Sequence, residues 1–267
     1  MIADIKNAEK LFEGSYEYRD KRKMYSQENF KVFQPFDTDL LVYHAEILTR
    51  CPNGEFLKIY VTYTINSEHL PVEVIIRKEL GVLNVEEIFR PMAKNQQFID
   101  YTFKSNGKRV QIEEFQVPTG RYHISTPATT CALIFLGSKK YDPTKRNSYS
   151  MVRSENDWEY ATGNLKHAHV YLETENQAHT GSEEIMVKGV KRECRKYLYF
   201  EQIKQEVIKG KKETPDEIPV VFYISEHVSL PYLVEFNDGI VVEVGQLKDL
   251  QNHDAKEFFK NFGKMGA

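Results

Sequence analysis

Twice along this chain a tyrosine is followed by six residues and then Leu-Pro: Tyr63 by Leu70-Pro71, and Tyr223 by Leu230-Pro231. Past each Leu-Pro runs an apolar, strand-like stretch, then a turn glycine (Gly81, Gly239), then a Val-rich stretch carrying a glutamate (Glu86, Glu243). Upstream, Tyr16-Glu17-Tyr18 is echoed in the same order by Trp158-Glu159-Tyr160. Matched landmarks in one order predict an internal repeat of two β-rich units. They divide the chain into a first β half (1–117), a connector (118–150) and a second β half with a closing helix (151–267). The fold class that follows is mainly β. Two similar antiparallel halves form a closed or nearly closed barrel, or two packed barrels, with an interior able to hold a molecule.

Turn chemistry supports the meander. Strand-like runs over 40–50 and 55–65 flank Cys51-Pro52-Asn53-Gly54, and those over 101–103 and 110–115 flank Asn106-Gly107. Runs over 233–236 and 240–244 flank Asn237-Asp238-Gly239. Asn-Gly and Asp-Gly supply the positive φ angles that tight hairpins need. Within 56–65, a period of two puts Leu57, Ile59, Val61, Tyr63 and Ile65 inward and Lys58, Tyr60, Thr62 and Thr64 outward. Tyr43, Ala45 and Ile47 share a face on the preceding strand, and the repeat places Val221 and Tyr223 inward as well, while Val220 and Phe222 make the opposite face equally apolar and leave the register there open. Ile5, Ala8, Leu11 and Phe12 have helical spacing, which predicts a short N-terminal helix over 4–12. Phe258, Phe259 and Phe262 predict a C-terminal helix over 254–262. In the connector, Thr126-Pro127-Ala128 is helix-opening chemistry, and the apolar run from Cys131 to Leu136 fits a buried helix or a strand equally.

Composition excludes several function classes. A net charge of −3 over 267 residues offers no basic field for nucleic acid. No apolar run approaches the roughly 18 residues of a membrane-spanning helix. The start, Met1-Ile2-Ala3-Asp4-Ile5-Lys6, has no secretory pattern, and the three cysteines (Cys51, Cys131, Cys194) show no close spacing. Together these point to a cytoplasmic protein. Sixteen Tyr and sixteen Phe favour half-buried sheet faces, where a ring packs and a hydroxyl can bond.

Chemistry-bearing motifs are few. No GxSxG, GxGxxG or P-loop occurs, so no cofactor is expected. His167-Ala168-His169 with Glu173 resembles the first metal motif of cupins, and Pro118-Thr119-Gly120-Arg121-Tyr122-His123 resembles the second, in reversed order along the chain. That resemblance implies His123, His167, His169 and Glu173 as metal ligands. The alternation of Ala168, Val170 and Leu172 predicts instead that the paired histidines face outward and hold no metal.

The functional expectation rests on the aromatic interior. The barrel architecture resembles that of lipocalin-like proteins, which implies a β-barrel cavity for a small apolar or amphipathic ligand, lipid-, polyketide- or steroid-like. Tyr43, Tyr63 and Tyr223 are the ligand-binding candidates, with hydroxyls that orient the ligand. The alternative is an enzyme acting on such a ligand in the same cavity, an isomerase, cyclase or hydratase, either cofactor-independent or using a His-bound metal.

Overall fold

The computed structural model describes residues 7–36, 38–92, 97–117, 121–142, 144–154, 165–174, 183–202, 219–224 and 229–250. The expected C-terminal helix, the Trp158-Glu159-Tyr160 echo and residues Pro118 to Gly120 lie outside them. The first half is a meander of β1 (Ala8–Asp20), β2 (Lys23–Pro35), β3 (Leu41–Arg50), β4 (Phe56–Ile65), β5 (Pro71–Leu80), β6 (Leu83–Pro91), β7 (Phe98–Ser105) and β8 (Lys108–Gln116). The connector holds the two-residue β9 (His123–Ile124) and two 3-10 turns, Thr129–Cys131 and Ile134–Ser138. The second half contains β10 (Asn147–Ser154), β11 (Leu165–Thr174), β12 (Glu183–Val187), β13 (Val190–Gln202), β14 (Val220–Ile224), β15 (Pro231–Glu235) and β16 (Ile240–Asp249).

All sixteen strands belong to one sheet, because β16 pairs antiparallel with β1 and so joins the halves edge to edge. The order runs from β8 back through β1, then β16 to β13, then β11, β10 and β9, with β12 paired to β13 beside this path. The ladders are antiparallel except for the short β9–β10 pair. Among the described residues the sheet is not closed: β8 and β9 stand at its two ends and are not hydrogen-bonded neighbours.

The hairpins form where turn residues demand them. At Asn106-Gly107 both residues have positive φ, 48° and 74°, the pairing that matches strand twist in a two-residue turn. Side-chain alternation then sorts the faces. Tyr43 pairs with Tyr63, Ala45 with Val61 and Ile47 with Ile59, and all six are buried. One hydrophobic cluster unites these with Phe12 and Phe30, with Phe135 of the connector, and with Val170, Phe222 and Val242 of the second half. Each such side chain stabilises the fold by about 1.5–3 kcal/mol when fully buried.

Two expectations are corrected. From Ala8 onward the N-terminal segment is strand, not helix. The β1–β2 register shifts between Lys10 and Phe12, so the consecutive Leu11 and Phe12 are both buried. A bulge of this sort puts neighbours on one face and imitates helical spacing. The second correction concerns β14, where Phe222 and Ile224 are buried and Tyr223 is not. Ile65 pairs with Pro71 in the first half, whereas Ile224 pairs with Pro231 in the second, each next to a register shift. Relative to the Leu-Pro landmark the second pairing is offset by one residue, and a one-residue offset exchanges faces. Tyr63 therefore points inward and Tyr223 outward.

Between the halves, neither helix nor strand wins the Cys131–Leu136 run. It forms the two 3-10 turns, whose Thr129, Thr130, Cys131, Ile134 and Phe135 are buried.

Candidate ligand site in the sheet interior

The connector runs across the inner face of the first half, and polar side chains of that face hold it. Tyr63 is 1% exposed, and its hydroxyl accepts the Ile124 N–H at 3.0 Å. This satisfies a backbone donor of β9 from a strand 61 residues away. Tyr43 lies beside Tyr63 in the ladder, and burial pushes the pKa of both phenols well above the ordinary range. Tyr16, Tyr43 and Tyr63 all lie within electrostatic reach of the Cys131 thiol, which is itself buried and pushed upward in pKa. Cys51, Cys131 and Cys194 form no disulfide. Two of the candidate tyrosines thus come together. Tyr223 does not join them: its hydroxyl donates to Glu235 at 3.3 Å, and Lys196 Nζ lies 5.6 Å from its ring.

Deeper on the same face sits a carboxylate that the sequence reading passed over. Glu28 is 0% exposed. It accepts the Tyr18 hydroxyl at 2.6 Å, the Thr129 N–H at 2.8 Å, the Thr130 N–H at 3.0 Å and the Thr130 hydroxyl. Burial raises its pKa and these donors pull the other way, with burial the larger influence. The signal was legible: Ser26, Glu28, Phe30 and Val32 alternate on one buried face of β2, so an acid there requires partners. What the sequence cannot supply is their identity, since Thr129 and Thr130 lie a hundred residues downstream. Close by, the Tyr16 ring stacks on Phe30 at 5.1 Å, and its buried hydroxyl has no hydrogen-bond partner among the described residues.

A second polar corner forms where β9 and β10 meet the second 3-10 turn. His123 is 3% exposed, packed against Phe135 (5.5 Å between ring centroids) and Tyr149 (6.5 Å). Its Nε2 lies 3.2 Å from Ser138 Oγ. Burial, the largest cause, pushes its pKa down to about 3, with His69 and Lys139 adding to the effect. The His69 imidazole lies flat on Gly137: a Cβ at that position would fall 2.3 Å from the ring. Ser138 donates its hydroxyl to the Phe135 carbonyl at 2.7 Å, which directs its proton away from His123 and does not activate it as a nucleophile.

The other members of the implied metal set lie elsewhere. Ala168, Val170 and Leu172 are buried, so His167, His169 and Glu173 occupy the opposite face of β11. The two imidazoles meet edge to face at 4.8 Å, and His167 Nε2 lies 2.5 Å from Ser150 Oγ. Glu173 accepts from Arg146 at 2.5 Å. His123 belongs to the buried corner, and no group of three or more His, Cys, Asp or Glu with metal-binding geometry occurs among the described residues. The four residues are not brought to one point.

The class that this geometry defines is a large, open, antiparallel sheet of β-barrel-like architecture. The crystal structure of a beta-barrel-like protein of domain of unknown function DUF1849 from Brucella abortus shares the fold, with a TM-score of 0.51 and 8% sequence identity over 91% of this chain and 98% of that one. A DUF1089 family protein from Pseudomonas aeruginosa aligns with a TM-score of 0.45 and 9% identity over 78% of this chain and 88% of that one. No family model and no curated protein matches the sequence. No helix among the described residues is long and apolar enough to cross a membrane.

Proposed function

We propose that the protein binds a small, largely apolar or amphipathic molecule against the inner face of the sheet, beside the connector. One observation carries this reading: Tyr16 Oη, Tyr149 Oη and His123 Nδ1 are buried polar atoms without hydrogen-bond partners among the described residues, and they sit inside an apolar cluster. Buried polar atoms in folded proteins are nearly always satisfied, and an apolar interior with a few convergent polar groups is the common setting of small-molecule sites. Tyr43 and Tyr63, adjacent on that face, would flank the apolar part of the ligand. The Tyr63 hydroxyl already accepts from Ile124, so its contribution is to hold the wall.

The test is ligand capture from extract by the purified protein, read by mass spectrometry, followed by thermal unfolding with the captured compound. A ligand of the folded state at a hundredfold excess over its dissociation constant stabilises by about 2.7 kcal/mol. An environment-sensitive apolar dye should bind and be displaced by the same compound. If nothing apolar or amphipathic is captured and no such dye binds, the reading is wrong and the interior is a filled core.

A further inference from the structure

The buried corner at His123 constrains the polar end of such a ligand, and the reasoning rests on the binding role just proposed. Ser138 spends its only hydroxyl proton on the Phe135 carbonyl at 2.7 Å. Its oxygen can therefore only accept from His123, so the contact at 3.2 Å requires the proton on Nε2. A neutral imidazole carries one N–H. Nδ1 is left as a bare acceptor, buried and without a partner among the described residues. Tyr149, 4% exposed and across the ring cluster from His123, has a hydroxyl in the same condition. One of these groups only accepts; the other can donate.

We propose that His123 Nδ1 and Tyr149 Oη together recognise a hydroxyl group on an uncharged amphipathic ligand. The ligand O–H donates to Nδ1, and its oxygen accepts from Tyr149. A carboxylate or phosphate fits poorly: it has no proton for Nδ1, and burial holds the imidazole neutral, so no charge is available to meet it. The nearby cations are already engaged. Lys139 donates to the Ser148 carbonyl and stands 4.2 Å over the Tyr149 ring. Arg121 donates to the Ser138 carbonyl at 3.2 Å and to Glu68 at 3.4 Å. An ether or alkane leaves Nδ1 unpaired. A primary, secondary or sterol-type alcohol satisfies both atoms at once.

The experiment measures dissociation constants of 1-decanol, decyl methyl ether and decanoate on the full chain, by displacement of the apolar dye. The wild type is compared with Tyr149→Phe, which removes only a hydroxyl, and with His123→Phe, which keeps a ring. Decanol should bind about tenfold tighter than its methyl ether, since an unmade hydrogen bond in a buried site is of that order. Tyr149→Phe and His123→Phe should each shrink that ratio to near one. Nitrogen-15 NMR of the histidines supplies a readout independent of variant folding: decanol should shift the Nδ1 resonance of His123, and the ether should not. Equal affinities for alcohol and ether, or tightest binding of decanoate, would overturn hydroxyl recognition while leaving the binding function standing. A preference for decanol that survives both substitutions with no Nδ1 shift would overturn its assignment to this corner. If the dye binds and none of the three probes displaces it, the hydroxyl inference falls while the binding reading stands; if no dye binds and nothing is captured from extract, both fall.

Discussion

Replacing Glu28 tests whether the connector is pinned to the inner face by one buried carboxylate. Oε2 accepts from Tyr18 and the Thr129 N–H, while Oε1 accepts from the Thr130 N–H and the Thr130 hydroxyl. Glu28→Gln keeps one oxygen. With the new amide nitrogen in place of Oε2, it donates to the Tyr18 hydroxyl, and Tyr18 donates on to Thr129 Oγ1, 2.7 Å away. The Thr129 N–H then loses its carboxylate acceptor at 2.8 Å and keeps only the long contact to the Tyr18 hydroxyl at 3.4 Å; a buried donor left wholly unmade costs about 1–3 kcal/mol, which is the ceiling here. Removing a carboxyl whose pKa is raised by burial offsets part of that loss, so the lower end of this range is expected. Glu28→Ala takes the carboxylate from both backbone N–H groups, orphaning that of Thr130 and leaving Thr129 only the 3.4 Å contact to Tyr18, at up to about 2–6 kcal/mol, and opens a void besides. Urea unfolding would give these values as midpoint shifts at constant slope. Hydrogen exchange should locate them, with Thr129 and Thr130 amides losing protection before the hairpins do. If Glu28→Ala unfolds within about 0.5 kcal/mol of wild type, the variation expected of an ordinary surface substitution, and both amides stay protected, the pinning argument is wrong.

Tyr63→Phe should cost about 1–3 kcal/mol in urea unfolding by orphaning the Ile124 N–H, and Tyr63→Ala about 3–5 kcal/mol through the cavity it leaves. Acid should weaken the fold through His123, whose folded-state pKa of about 3 lies below the unfolded value near 6.5. The contribution is complete above pH 6.5 and is lost as pH falls toward 3, at about 1.4 kcal/mol per unit, or roughly 2 kcal/mol by pH 5. Urea midpoints at pH 7.5 and 5 should show that loss in the wild type and a smaller one in His123→Phe. Elemental analysis of protein purified without chelator should find no stoichiometric transition metal. Zinc or iron lost on changing both His167 and His169 to Ala would refute the expectation that the outward histidine pair of β11 holds no metal.

Much of the architecture was legible because its causes are local. Asn-Gly and Asp-Gly turns need positive φ, and the glycines at 54, 107 and 239 all have it. A period of two over 56–65 identified the inner face of β4, since successive side chains on a strand must alternate. The outward histidines of β11 followed from the same rule. What tertiary structure alone decided were pairing registers and distant partners. The bulge at Leu11 turned a helix-like spacing into a strand. The offset beside Pro231 turned Tyr223 away from Tyr63, because a register difference of one residue exchanges faces while leaving the sequence pattern unchanged. The alternation of Ser26, Glu28, Phe30 and Val32 carries a signal, passed over in the sequence reading, that a buried acid on β2 needs donors. That Thr129 and Thr130 supply them was decided only when the connector crossed the inner face, since hydrogen-bond satisfaction depends on proximity in space and carries no signature along the chain.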